Sequence, residues 1–304
     1  MKFITAETSN SDSLKIFISE SHSPNGPIGV IHIYHGLAEH FGRYKETSKY
    51  FNSIGYHVVG IDHIGHGDWI KSGALPGFFA KDNGWNLVID NMETAFKEIQ
   101  KTYQELPHYI LAHSMGTWLT LSLLQRNISP AKVILSASSK LSVVQLKLQK
   151  FIIKILKFFQ GPQSPSYFSD FLTTKKFNAQ FKPNRTTHDW LSNNHKSVDA
   201  YIKDPLCGFV PTNQMYEDLA GGVIKAFSHE QMLEVDINLP ILLIAGSEDP
   251  VGENGNGVQR LYDYLNSIYK NVDFDLINNA RHEVFSETDK ENTYNKLLKF
   301  FNKI

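Results

Sequence analysis

The sequence predicts an α/β protein: one domain over 1–304 built on a doubly wound, mostly parallel sheet, with a helical cap insertion at 138–236. Three observations predict it. Short apolar, β-branched runs at 28–34, 57–61, 109–112, 132–137, 241–245 and 272–277 alternate with longer helix-like stretches. Continuous apolar runs suit strands covered on both faces, and alternation with helices suits parallel crossovers. Second, Gly, His, Ser or Asp follows nearly every run, and open α/β sheets bind ligands at the carboxyl ends of their strands. Third, the rhythm stops between about 138 and 236, where Gly161-Pro162 and Ser164-Pro165 punctuate a helical and loop-like segment. The remaining strands resume after it, so it reads as an insertion between two strands of one sheet.

Composition narrows the function. Hydrophobic residues make up 41% and charged residues 20% of the 304 positions, enough to bury a large core. Thirty basic and thirty-one acidic side chains leave a net charge of −1, which argues against a nucleic-acid surface. Cys207 is the single cysteine, so no internal disulfide framework is possible. The start of the chain lacks the apolar run of a signal peptide, and no stretch of 18 uncharged apolar residues occurs, so the expected compartment is the cytoplasm.

Taken in chain order, the elements carry these signals. The run 14–19 reads as an antiparallel strand opening the sheet. The next strand ends in His35-Gly36, followed by Leu37-Ala38-Glu39-His40. Asp62, His63, His66 and Asp68 form a glycine-rich cluster. Its spacing lacks a zinc signature, and it reads as a buttress for the preceding loop through Asp62 or His66 side chains. The strand at 109–112 runs into His113-Ser114-Met115-Gly116 and then a helix. A serine at such a strand–turn–helix junction is lifted out of the sheet, and small residues two before (Ala112) and two after (Gly116) let the helix pack close. Ser114 is the candidate nucleophile. The N–H groups of Leu37 and Met115 are the candidate oxyanion donors.

Within the insertion, 141–160 reads as an amphipathic helix. Lys147, Lys150, Lys154 and Lys157 share one face, and Leu148, Phe151, Ile152, Ile155, Leu156 and Phe159 lie mostly opposite. Two roles compete: an apolar face that covers the active site, which is favoured, or a face that touches an anionic membrane surface. Trp69, Trp85, Trp118, Phe78 and Phe79 are candidates for an acyl pocket or for plain core. The strand at 241–245 ends in a turn carrying Glu248 and Asp249, and the strand at 272–277 is followed by His282. Of 13 histidines, His282 stands out by lying in the last loop before the C-terminal helix. Asp249 is the candidate orienting carboxylate and Glu248 its rival.

These stretches resemble the monoacylglycerol lipase and lysophospholipase branch of the α/β-hydrolases. The resemblance lies in His35-Gly36 with Glu39-His40 and Gly42-Arg43-Tyr44, in Asp62-His63-Ile64-Gly65-His66-Gly67, in His113-Ser114-Met115-Gly116, in Asp204-Pro205-Leu206-Cys207-Gly208-Phe209 and in Ala280-Arg281-His282-Glu283. It implies acyl transfer through a covalent intermediate on a small-molecule acyl ester, with no cofactor and no metal. Two alternatives remain. A proline-iminopeptidase-like aminopeptidase needs an acidic pocket, for which Glu217, Asp218 and Asp199 are the candidates. A hydrolase-fold binding protein needs no chemistry at all.

Overall fold

The computed structural model describes residues 1–8, 12–228 and 235–303. Eight strands form one sheet in the order β1-β2-β4-β3-β5-β6-β7-β8. They are β1 Lys2–Glu7, β2 Ser13–Ser19, β3 Gly29–Tyr34, β4 Tyr56–Gly60, β5 His108–His113, β6 Lys132–Ser136, β7 Ile241–Gly246 and β8 Val272–Ile277. The pairs β1·β2 and β2·β4 are antiparallel, and the other five are parallel. The sheet is therefore mostly parallel, as the sequence predicts.

Alternate side chains of the central strands feed two separate cores. Val30, Ile110, Ala112, Val133, Leu135, Leu243 and Ala245 point to one face. Ile31, Ile33, Leu111, Ile134, Leu242 and Ile244 point to the other. Both faces are covered, which is why these strands read as unbroken apolar runs. Strand β1 has no such run. It sits at the edge with most of its side chains exposed, and only Ile4 and Ala6 reach the core.

The longer helices are α1 Lys45–Ser53, α2 Gly84–Thr102, α3 Met115–Leu123, α4 Val143–Gln160, α5 His195–Lys203, α6 Asn213–Ala226, α7 Asn256–Asn266 and α8 Lys290–Asn302. Strands β6 and β7 are neighbours in register from Val133 opposite Ile241, although α4, α5 and α6 lie between them in sequence. Residues 229–234 of the predicted insertion, and residues 9–11 and 304 of the predicted domain, lie outside the described residues. Among the described residues, no helix is long and apolar enough to cross a membrane.

Helix α4 corrects one expectation. The sequence favours its apolar face toward the active site, but Phe151 (61% exposed), Ile155, Phe158 (84%) and Phe159 face solvent. The inward face is the narrower one of Leu146 and Ile153. Lys157 holds the helix in that rotation, pairing with Gln214 and with Glu217 of α6. A charge-assisted tie to a neighbouring helix thus decides a rotation that hydrophobic patterning alone gets backwards.

Candidate active site

Ser114 sits between β5 and α3 with φ 50° and ψ −119°, a conformation that non-glycine residues rarely adopt. Its N–H donates to the Ser136 carbonyl at 2.9 Å, which anchors the turn to the next strand. A Cβ on Gly116 would lie 2.3 Å from the Tyr34 carbonyl oxygen, so the position two after the serine must be glycine. Ala112, two before it, is fully buried.

The structure brings Ser114, His282 and Asp249 together. His282 Nε2 lies 3.0 Å from Ser114 Oγ, and His282 Nδ1 lies 3.0 Å from Asp249 Oδ1. With a carboxylate at Nδ1, that nitrogen carries the proton, and Nε2 presents its lone pair to the serine hydroxyl. Burial pushes the imidazole pKa down, but Asp249 and the nearby Glu283 and Glu39 outweigh it and leave it above its ordinary value. Asp249 is fully buried, and its Oδ1 also accepts from the Val251 N–H at 2.9 Å. Glu248 is half-buried, with its N–H tied to Ala280. Of the two rival acids, Asp249 is the one that faces the imidazole.

Leu37 and Met115 line the same cavity as Ser114 and His282. Met115 opens α3, so its N–H has no acceptor within the helix. The Leu37 loop is clamped on both sides. The Gly36 N–H donates to Glu39 Oε1 at 2.6 Å, and the Ala38 carbonyl accepts from Tyr201 Oη and the Gly208 N–H. A Cβ on Gly36 would lie 3.1 Å from that of Ser114, so only glycine lets the two loops approach freely.

Asp62 is the buttress, as the sequence suggests. Its Oδ1 accepts from the Phe41 N–H at 2.8 Å and its Oδ2 from the Asp68 N–H at 2.7 Å. His66 makes no side-chain hydrogen bond to the Leu37 loop: its Nδ1 meets the Ile64 carbonyl, and its ring packs on His35 and Phe209. A different trio, His40, Asp204 and Cys207, has metal-ligating atoms close together. Its groups are already committed. His40 Nε2 contacts Asp204 Oδ2 at 2.9 Å, His40 Nδ1 accepts from the Gly42 N–H, and burial pushes the Cys207 thiol pKa up.

Glu39, Arg43 and Glu283 carry part of the family resemblance in the sequence without an assigned role, and in the structure they join the loops. Arg43 Nη1 donates to Glu39 Oε2 at 2.7 Å and to Glu283 Oε1 at 2.6 Å, and Nη2 reaches Glu283 Oε2 at 2.8 Å. One guanidinium therefore bridges the Leu37 loop to the His282 loop. Burial would raise the Glu39 pKa, but Arg43 and neighbouring histidines bring it down to about 2. The signal present in the sequence was Glu39 and Arg43, opposite charges four residues apart between apolar Ala38 and Tyr44.

The cavity over Ser114 holds about 300 Å³. Its apolar wall is Trp118, Leu146, Phe177, Trp190, Phe209 and Val223. Of the aromatics picked from the sequence, Trp118 lines it, whereas Trp85 and Phe79 belong to the core and Trp69 and Phe78 do not reach it. The acidic candidates for an aminopeptidase pocket do not line it either. Glu217 pairs with Lys157, Asp199 pairs with Arg185, and Asp218 is held by Gln214, its pKa pushed up to about 6 by burial.

Several histidines of the central sheet and its loops are buried and neutral. Burial, with neighbouring imidazoles adding to it, depresses the pKa of His32 and His63 strongly, of His66 to about 3 and of His113 to about 4. The unfolded chain protonates these groups near pH ~6.5, so below that pH it binds more protons than the folded chain. Their contribution to stability is complete above pH ~6.5 and is lost as pH falls toward the folded values. Each group can remove up to about 1.4 kcal/mol per pH unit in that window. The melting temperature is expected to fall steadily between about pH 7 and pH 5, as read by calorimetry. A flat profile there would mean that these imidazoles are not buried.

Residues 25–289 match the family model described as serine aminopeptidase, S33 (Hydrolase_4). A monoglyceride lipase homolog of Monkeypox virus is 25% identical over 275 residues, covering 87% of this chain and 85% of that protein. The monoglyceride lipase of Rattus norvegicus is 23% identical over 257 residues, covering 79% and 71%. Among solved structures, a thermostable carboxyl esterase from Bacillus coagulans in complex with glycerol superposes with a TM-score of 0.88 at 24% identity, over 99% and 97% of the two chains. A soluble variant of the Saccharomyces cerevisiae monoglyceride lipase superposes with a TM-score of 0.72 at 16% identity, over 99% and 94%. These likenesses show the α/β-hydrolase fold. With the family model matched along most of its length, this chain belongs to the serine aminopeptidase S33 (Hydrolase_4) family.

Proposed function

We propose that this protein is a serine esterase that cleaves carboxylic esters of lipids with one acyl chain, a monoacylglycerol or a lysophospholipid. The observation that carries this reading is the mainly apolar cavity of about 300 Å³ that opens directly on Ser114 and His282. A cavity of that size and lining suits one acyl chain rather than three. The names of the curated relatives above point the same way. The aminopeptidase alternative loses its support because its candidate acids lie outside the cavity.

The chemistry follows from the geometry. His282 Nε2 takes the Ser114 proton as Oγ attacks the ester carbonyl. Asp249 keeps Nδ1 protonated and stabilises the imidazolium that forms. The Leu37 and Met115 N–H groups receive the oxyanion. His282 then returns the proton to the leaving alcohol, and water attacks the acyl-enzyme by the same route in reverse. A screen of monoacylglycerols, lysophospholipids, triacylglycerols and aminoacyl-naphthylamides tests the substrate class. Monoacyl esters are expected to lead, and a preference for aminoacyl-naphthylamides would defeat the reading.

The exposed apolar face of α4 supports a second part of the proposal, transient contact with an anionic membrane surface. Phe151, Phe158 and Phe159 stand out beside Lys147 and Lys154 of the same helix. Aromatic side chains flanked by lysines are the chemistry that enters a headgroup region. Replacing Phe158 and Phe159 with serine is expected to lower hydrolysis of monoacylglycerol carried in anionic vesicles about tenfold or more. Turnover of p-nitrophenyl acetate should stay unchanged. Equal loss on both substrates would assign these residues to folding instead.

A further inference from the structure

The cap meets the loop that carries His282 along residues 189–194. The Glu283 N–H donates to the Leu191 carbonyl at 2.7 Å, and Arg281 Nη1 donates to the Asp189 carbonyl at 2.6 Å. Asn193 continues the seam, its N–H meeting the Glu287 carboxylate and its Nδ2 donating to the Asn279 carbonyl. Residues on both sides of His282 are thereby tied to both sides of Trp190. The Trp190 N–H donates to Asn178 Oδ1, and its ring packs against Phe177 at 5.3 Å. Held in this way, the indole lies against the His282 imidazole, with ring centroids 4.8 Å apart and planes inclined by 36°.

We infer that Trp190 is a positioning residue for His282: the cap lends the base an aromatic face that steadies the imidazole and favours its cationic form during acyl transfer. This rests on the reading of Ser114 and His282 as nucleophile and base. An aromatic face attracts a cation most strongly where water is excluded, and His282 is almost fully buried. The indole also lines the cavity and packs against Phe177, but among the described residues no polar contact fixes its ring there. Its Nε1–H is buried without a hydrogen-bond partner, so the ring is not held there by a polar anchor.

Other groups also face the imidazole. Asp249 and Ser114 meet its two nitrogens. His113 packs against the ring at 4.8 Å and stays neutral, with its pKa lowered to about 4 by burial and by His282 itself. Glu283 and Glu39 contribute negative charge, largely spent on Arg43. On the cap side, His188 lies two residues before Trp190 with a lowered pKa, mainly from burial. Trp190 carries no ionisable group, so its removal changes no formal charge around the base.

The test compares Trp190→Leu, which removes the aromatic face, with Trp190→Phe, which keeps one and loses no hydrogen bond. The first readout is the His282 titration by NMR on the full-length protein, its resonance assigned by its absence from His282→Ala. Trp190→Leu should titrate roughly 0.4 to 1.5 pH units below wild type. The second readout is the pH profile of kcat on p-nitrophenyl butyrate. Trp190→Leu should lower the plateau by roughly 2- to 30-fold while moving the acid limb to lower pH, and Trp190→Phe should restore most of both. A merely structural role predicts a lower plateau with an unmoved titration, and that result overturns the inference. So does a Trp190→Leu protein identical to wild type in both readouts. If wild type proves inactive on every ester, the functional reading fails on its own, and the NMR titration still decides the case of Trp190.

Discussion

Replacing Ser114 with alanine is expected to lower kcat by roughly 10⁴ to 10⁶, the loss that follows removal of a covalent nucleophile. The hydroxyl lies 3.0 Å from His282 Nε2 and lines the cavity, so among the described residues it is the nucleophile the imidazole can activate there. What remains after its loss is the oxyanion site and substrate binding, which act on water far less effectively. Stability should barely change, because alanine fits the same turn and the turn is held by the backbone bond to Ser136. Labelling by a fluorophosphonate probe should vanish with the hydroxyl. A variant that keeps a tenth of wild-type activity, or that still takes the probe, would overturn the assignment. Absence of labelling in the wild type would instead favour a hydrolase-fold protein without chemistry.

Asp249→Asn is expected to cost about 10⁴ in kcat, whereas Glu248→Gln should stay within about a factor of two. Asp249 is fully buried with Oδ1 shared between His282 Nδ1 and the Val251 N–H. An asparagine keeps the shape but can turn its amide N–H toward Nδ1. The ring then takes the other tautomer, with the proton on the nitrogen that should receive one from serine. The lost charge also leaves the imidazolium unsupported in a dry site. Glu248 holds the turn through its backbone N–H, which glutamine leaves untouched. Paired measurements of kcat on one soluble ester decide the matter, and a worse Glu248→Gln would reverse the roles of the two acids.

The sheet was legible because its strands are covered on both faces. Burial forces unbroken apolar runs, and each run in the sequence became a strand to within a residue or two. Strand β1 escaped notice because an edge strand needs only every second side chain to be apolar, and here only Ile4 and Ala6 comply. The three candidate catalytic side chains were legible for a related reason. Each follows a strand, where a parallel sheet converges its loops, and Gly116 and Ala112 record how closely the helix must pack.

What the sequence by itself determined was therefore the order of strands and turns and the chemical identity of Ser114, Asp249 and His282. These depend on local unbroken apolar runs and on small residues at fixed offsets. The tertiary structure alone decided what depends on contacts between distant segments. It turned the aromatic face of α4 outward, because Lys157 finds Gln214 and Glu217 on α6. It spent Arg43 on Glu39 and Glu283, 240 residues apart in the second case, and so joined two loops that no sequence window contains. It carried Trp190 from the segment between β6 and β7 to the face of His282. The physical reason is common to all three: a charged or aromatic side chain takes its role from the partner that desolvates it, and that partner is named only when the chain has folded.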